Sequence, residues 1–302
     1  MTAATATRAT ATATAVRRRP VRWRRMALYG FLTFMAVTWL FPLLWAIYTA
    51  LRPYSDTLAN GYISLPQVIN LDNFAEAFSQ GNFPRFYLNS LIIAVPAVII
   101  TLLIASMVAF AVSRFSWRFN LFCLMLFTAG NLLPPQVLIV PLYQLYLLIP
   151  FPLADNGKLL YDQFLGVILI NIVFQTGFCA FVLSNYMRTI SRELTEAALA
   201  DGAPVWRIYW SVILPICRPA LAALATLQFT FIYNDFFWAL LLMKTGDKRP
   251  ITSALNNLQG QFFTDTNLLA AGALLAAIPS ILVFFALQRH FVSGISLGST
   301  KG

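Results

Sequence analysis

The chain has 302 residues, 59% of them hydrophobic and only 11% charged, with a formal net charge of +10. A soluble domain carries about 25% charged residues, so this chain cannot cover itself with a water-facing surface, and its composition places it in the membrane. The basic excess does not indicate a nucleic-acid binder, because Lys and Arg gather at the ends of apolar segments, where they set orientation.

Residues 1–25 alternate Ala and Thr and end in Arg17, Arg18, Arg19, Arg22, Arg24 and Arg25. With no acid and no periodic apolar face, they are expected to form a disordered tail with a basic anchor. The apolar run that follows is too long for a signal-peptide core and lacks a small-x-small cleavage site, so it is expected to be an uncleaved span. Crossing a bilayer takes about 20 apolar residues, and six segments qualify: roughly 27–50, 86–113, 120–148, 163–184, 219–243 and 267–289. Pro134, Pro135 and Pro141 remove backbone donors from the third and are expected to bend or break it. Irregular backbone at that depth is tolerated only against protein or a water-lined cavity.

With the N-terminus placed inside, the inner regions hold fifteen Lys and Arg and the outer loops six. Both termini are therefore expected in the cytoplasm. The architecture read from the chain is an all-α membrane protein of six transmembrane helices, with a tail over 1–25, a six-span body over 26–291 and a cytoplasmic C-terminal tail over 292–302.

One polar island interrupts the second half, inside the region 188–215. Ser191 suits a helix start with Glu193 in the first turn. "RELTEAALA" is rich in helix formers, and Asp201-Gly202 closes it. Pro204 starts a second helix, whose Val205, Trp206, Ile208, Tyr209, Val212 and Ile213 are expected at the membrane interface. Pro215 and Pro219 mark the turn into the fifth span. Ala197, Ala198 and Ala200 keep the first helix thin enough to enter a groove on another protein. The competing reading is an amphipathic helix resting on headgroups, which would carry more Lys and Arg than this one, with its Glu193, Glu196 and Asp201.

At these residues the chain resembles the ABC importer permeases. Their EAA signature runs E-A-A, three residues, G, nine residues, I-x-L-P. Glu196, Ala197, Ala198, Gly202, Leu214 and Pro215 match it, and Val212 stands at the Ile position. "YNDFFWALLLM" (233–243) and the terminal "QRHFVSGISLGSTKG" look most like the smaller permease of the maltose-type carbohydrate importers. The resemblance implies a type I importer permease fold in a bacterial cytoplasmic membrane. It also implies an ATPase-coupling role for Glu196, Ala197, Ala198, Asp201, Gly202, Leu214 and Pro215. The implied partners are a second homologous permease, a cytoplasmic ATPase dimer, an extracellular sugar-binding protein and a sugar.

No G-x-x-x-x-G-K-[ST] motif occurs, so no nucleotide is expected on this chain; the resemblance implies that ATP and Mg are used by the partner ATPase. One histidine, His290, offers no metal or triad chemistry, and Cys123, Cys179 and Cys217 fall in or beside apolar segments. Asn234 and Asp235 sit inside the fifth span, where an ionisable group is costly and by default functional. They either line the pore or only fix packing. Asn171 and Gln175, one turn apart on the fourth span, are weaker candidates for the same path. In the loop 244–266, Asn256, Asn257 and Gln259 form a polar tip that the resemblance assigns to the binding protein. It assigns the glycine-rich end of the C-terminal tail, unable to form a helix alone, to the ATPase subunits.

Overall fold

The computed structural model describes residues 22–130, 134–152, 159–258 and 265–296. Among these every named element is helical, with one isolated bridge between Pro150 and Leu159. Residues up to Ala46 form one unit and those from Ile47 a second. The first unit holds most of α1 (Arg22–Ala50), which carries Arg22, Arg24 and Arg25 in its first turn, is uncharged and largely apolar after them, and contains Pro42. This helix begins inside the basic stretch, ahead of the expected boundary at residue 26.

The second unit opens with the short α2 (Tyr54–Asn60) and α3 (Asp72–Gln80), followed by α4 (Phe83–Arg114). The third segment is broken as its prolines require. α5 (Asn120–Gly130) and α6 (Ile139–Leu148, preceded by a 3-10 turn at Pro135–Leu138) have axes 84° apart. α7 (Phe164–Arg188) packs along α4, and Tyr146 of α6 presses so near Gly166 that a Cβ there would lie 2.9 Å from its ring. Next come α8 (Glu193–Ala200), α9 (Val205–Arg207), a π-helical segment over Ile208–Ile213 and α10 (Leu214–Ile216). The chain then bends by 75° into α11 (Arg218–Tyr233). α12 (Phe237–Leu242), α13 (Ile251–Ala254) and α14 (Thr266–Ser296) complete it. Among the described residues four helices are long and apolar enough to cross a membrane, or up to six spans if each bent pair is one.

Three expectations need correction. The fifth segment, expected as one span over 219–243, stops at Tyr233 and resumes at Phe237. Side chains compete there with the helical ladder. Asn234 Nδ2 donates to the Thr230 carbonyl (2.8 Å), and Asp235 Oδ1 accepts the Trp238 N–H (3.2 Å). Second, Ile208, Tyr209 and Ile213 are buried against α4 and α7 rather than lying at an interface. Tyr209 shares a 2.7 Å hydrogen bond with Ser106, leaving Val205, Trp206 and Trp210 outward. Third, helix continues past residue 292 to Ser296, because extending an existing helix is far cheaper than nucleating one.

Pro279 inside α14 has no N–H, so the carbonyl of Leu275 loses its ladder partner. Tyr87 of α4 fills the vacancy, its hydroxyl donating to that oxygen at 2.6 Å. Tyr233 of α11 donates to the adjacent Ala276 carbonyl at 3.1 Å. The kinked helix is thereby fastened to both neighbours at apolar depth, where an orphan carbonyl is most costly.

Candidate coupling face and polar break

Ser191 begins the island as its sequence requires, its Oγ accepting the Glu193 N–H at 3.2 Å. α8 ends in a Schellman arrangement. Gly202 N–H donates to the Leu199 carbonyl and Ala203 N–H to the Ala198 carbonyl, both at 3.0 Å. Gly202 itself sits at φ +76°, and a Cβ there would meet nothing within 4 Å. Glycine is required by backbone conformation, not by crowding.

Glu193, Glu196 and Asp201 are exposed, and Glu196 has no ion-pair partner among the described residues. Ala197 is exposed, while Ala198 turns inward onto the cluster formed by Ile208, Tyr209, Ile213 and Cys217. Leu214 and Pro215 are half-buried at the bend into α11. The structure therefore joins the seven island residues into one device. An exposed acidic helix is anchored on its small side and linked through a left-handed glycine to a buried segment that continues into a membrane helix.

Asn234 and Asp235 do not act as a pair. Asn234 is exposed and reaches Ser280 of α14 (3.4 Å), whereas half-buried Asp235 turns to α7 and accepts from Asn171 Nδ2 at 3.3 Å. Thr252 Oγ1 donates to the Asp235 carbonyl at 3.1 Å, fastening the break to α13. Gln175 is half-buried one turn beyond Asn171, without joining this cluster. Phe174 and Trp238, with ring centres 5.1 Å apart, pack beside it. Asn256 and Asn257 fall in a 3-10 turn, Leu255–Leu258, and Gln259 lies outside the described residues.

Two polar clusters at the other end of the bundle escaped sequence reasoning. Arg52, counted there only as a loop charge, is buried and bonds Asp56 through Nε at 2.6 Å. Its other nitrogens reach the Gly61 carbonyl (2.9 Å) and Ser64 Oγ (2.6 Å). Its own carbonyl accepts from Asn73 and Asn267, each at 2.8 Å, so α2, α3 and α14 meet on one residue. The Arg52 guanidinium holds the Asp56 carboxyl below the usual carboxylate range, helped by Asn60 and the Gln67 N–H. Asp162, at φ +61°, accepts the Lys244 and Thr245 N–H groups at 2.8 and 2.9 Å and ties the loop before α7 to the loop after α12. An aspartate four residues after an arginine is a weak hint of the first cluster; no local pattern announces the second.

Residues 101–297 match the model of the binding-protein-dependent transport system inner membrane component family. The chain is 32% identical over 286 residues to the osmoprotective compounds uptake permease protein of Synechocystis sp., covering 92% of this chain and 93% of that one. It is 34% identical to the alpha-glucoside transport system permease protein of Rhizobium meliloti, over 78% of this chain and 62% of the other. In fold it is similar to a chain of a bacterial ABC transporter involved in the import of the acidic polysaccharide alginate. The TM-score is 0.74 at 21% identity, over 93% of this chain and all of that one.

Proposed function

Because this chain belongs to the family of binding-protein-dependent transport system inner membrane components, we propose that it forms one half of the translocation pore of an ATP-driven carbohydrate importer. It is a permease subunit of the cytoplasmic membrane; ATP hydrolysis belongs to a partner ATPase dimer. A second homologous permease completes the pore, and an extracellular sugar-binding protein delivers the cargo. The names of the relatives, among them an alpha-glucoside permease, support carbohydrate as the substrate class.

The observation that carries this reading is the exposed, acidic α8 held by the left-handed Gly202 to a segment that runs into α11. In this reading α8 enters a cleft of the ATPase on the cytoplasmic side, where both termini also lie. Glu196 pairs with an arginine or lysine of that cleft. ATPase closure displaces α8, the buried Ile208–Ile213 segment transmits the movement, and the pore alternates between outward and inward openings. Asn234, Asp235, Asn171 and Gln175 belong to the substrate path. Asn256, Asn257 and Gln259 form the loop that meets the binding protein.

The test is Gly202→Asp and Glu196→Ala in the assembled importer. A side chain in the left-handed region costs on the order of 1–2 kcal/mol and swings the second helix. Gly202→Asp is expected to lose ATPase co-purification or sugar uptake into vesicles while the permease still inserts, and Glu196→Ala to do so more mildly. Retention of both ATPase binding and uptake by Gly202→Asp overturns the coupling role.

A further inference from the structure

Asp235 is the only charged residue in the stretches 27–50, 86–113, 120–152, 163–187, 219–243 and 266–288. It stands where α11 is interrupted, with Asn234 and Phe236 exposed on either side of it. Oδ1 accepts the Trp238 N–H at 3.2 Å and Oδ2 the Asn171 amide at 3.3 Å. N–H donors on both oxygens are the arrangement that suits an ionised carboxylate, an acceptor at every lone pair. Neither ion pair among the described residues involves Asp235, so no cation among the described residues is paired with it to cancel its field. At membrane depth that field is weakly screened and reaches further than it would in water.

We propose that Asp235 gives the permeation route a fixed negative bias, so that the transported solute carries no net negative charge. Neutral and amino-bearing sugars or polyols pass, and uronate-type sugars are refused. The proposal rests on reading the α11–α12 break as part of the route. The mechanism is electrostatic exclusion: a carboxylate solute passing the break meets a like charge in a low-dielectric wall, while a hydroxyl-rich solute meets acceptors and amides it can bond.

The experiment uses Asn234→Cys in the assembled, membrane-embedded importer, without nucleotide and with a non-hydrolysable ATP analogue. The parent protein with its three native cysteines serves as the blank. Two methanethiosulfonate reagents of similar size are compared, one bearing trimethylammonium and one bearing sulfonate, and each rate is divided by that for a small free thiol. The normalised preference for the cation is expected to be about tenfold or more, the effect of one unit charge several ångströms away in a partly screened site. Adding Asp235→Asn should bring it near one, and Asp235→Glu should preserve it.

A thiol that reacts with no charge preference, or a preference that survives Asp235→Asn, overturns the electrostatic role and leaves the route intact. A thiol inert to both reagents in both nucleotide states removes the break from the route, and the proposal with it.

Discussion

At the scale of single residues, the charges of this protein divide by what surrounds them. Glu196 is exposed and has no ion-pair partner among the described residues, as a residue kept for a partner protein would be. Arg52 and Asp56 are the opposite case, since each is the other's partner inside a shell of carbonyls and amides. Because Arg52 lowers the folded-state pKa of Asp56, the sign of the pH dependence follows. The contribution is complete above the unfolded carboxylate pKa of about 4 and disappears as pH falls through the lower folded value. The thermal stability of detergent-solubilised protein should therefore drop for Asp56→Asn at pH 7. The gap between variant and parent should narrow as pH falls below about 4. A gap of constant size down to pH 2 would show that the ion pair does not set it. Burying a pair in this way adds little net stability over apolar packing, but removing one partner is expensive, and here the pair also holds three helices in register.

At the scale of elements, sequence and structure agree where a residue acts on its own backbone and part where it acts at a distance. The prolines that break the third span, the glycine that ends α8 and the proline that starts α9 exert local constraints, so each could be read directly. The interruption after Tyr233 was missed because hydropathy treats Asn234 and Asp235 as two polar residues in an apolar run. The cause is their hydrogen bonding to nearby backbone. The π segment was missed for a related reason. One extra residue per turn changes which side chains face inward without changing composition, and Ile208, Tyr209 and Ile213 consequently pack into the core. Deleting the exposed Ser211 should restore α-helical register and rotate everything upstream of it by about 100° relative to α11. The variant is expected to insert normally and lose ATPase co-purification. Undiminished binding would mean that the orientation of α8 does not depend on the π segment.

At the scale of the whole molecule, the polar anchors lie far apart in sequence. Asn267 bonds Arg52 across 215 positions, and Tyr87 bonds Leu275 across 188. Such pairings have no signature in a single sequence, whereas the segments they join were legible from apolar length alone. The C-terminal end belongs to this scale too. Residues 297–302 offer a single bulky apolar side chain, Leu297, too little to build a core, so removing them should leave the spans inserted. If the tail meets the ATPase subunits, vesicle uptake should fall; full uptake by the shortened chain would take it out of the mechanism.

The fastening of α14 has a kinetic consequence. Proline makes a helix easy to flex at one point, yet here the released carbonyl and its neighbour are gripped by hydroxyls from α4 and α11. Flexing α14 alone would strip the Leu275 carbonyl, which has no ladder donor, of the Tyr87 hydroxyl in a medium that offers no replacement. Bends of α14 that leave α4 and α11 behind are therefore disfavoured, and the three helices are expected to move together. A transporter built on such a joint would snap between states rather than drift, with few half-open configurations through which solute could leak.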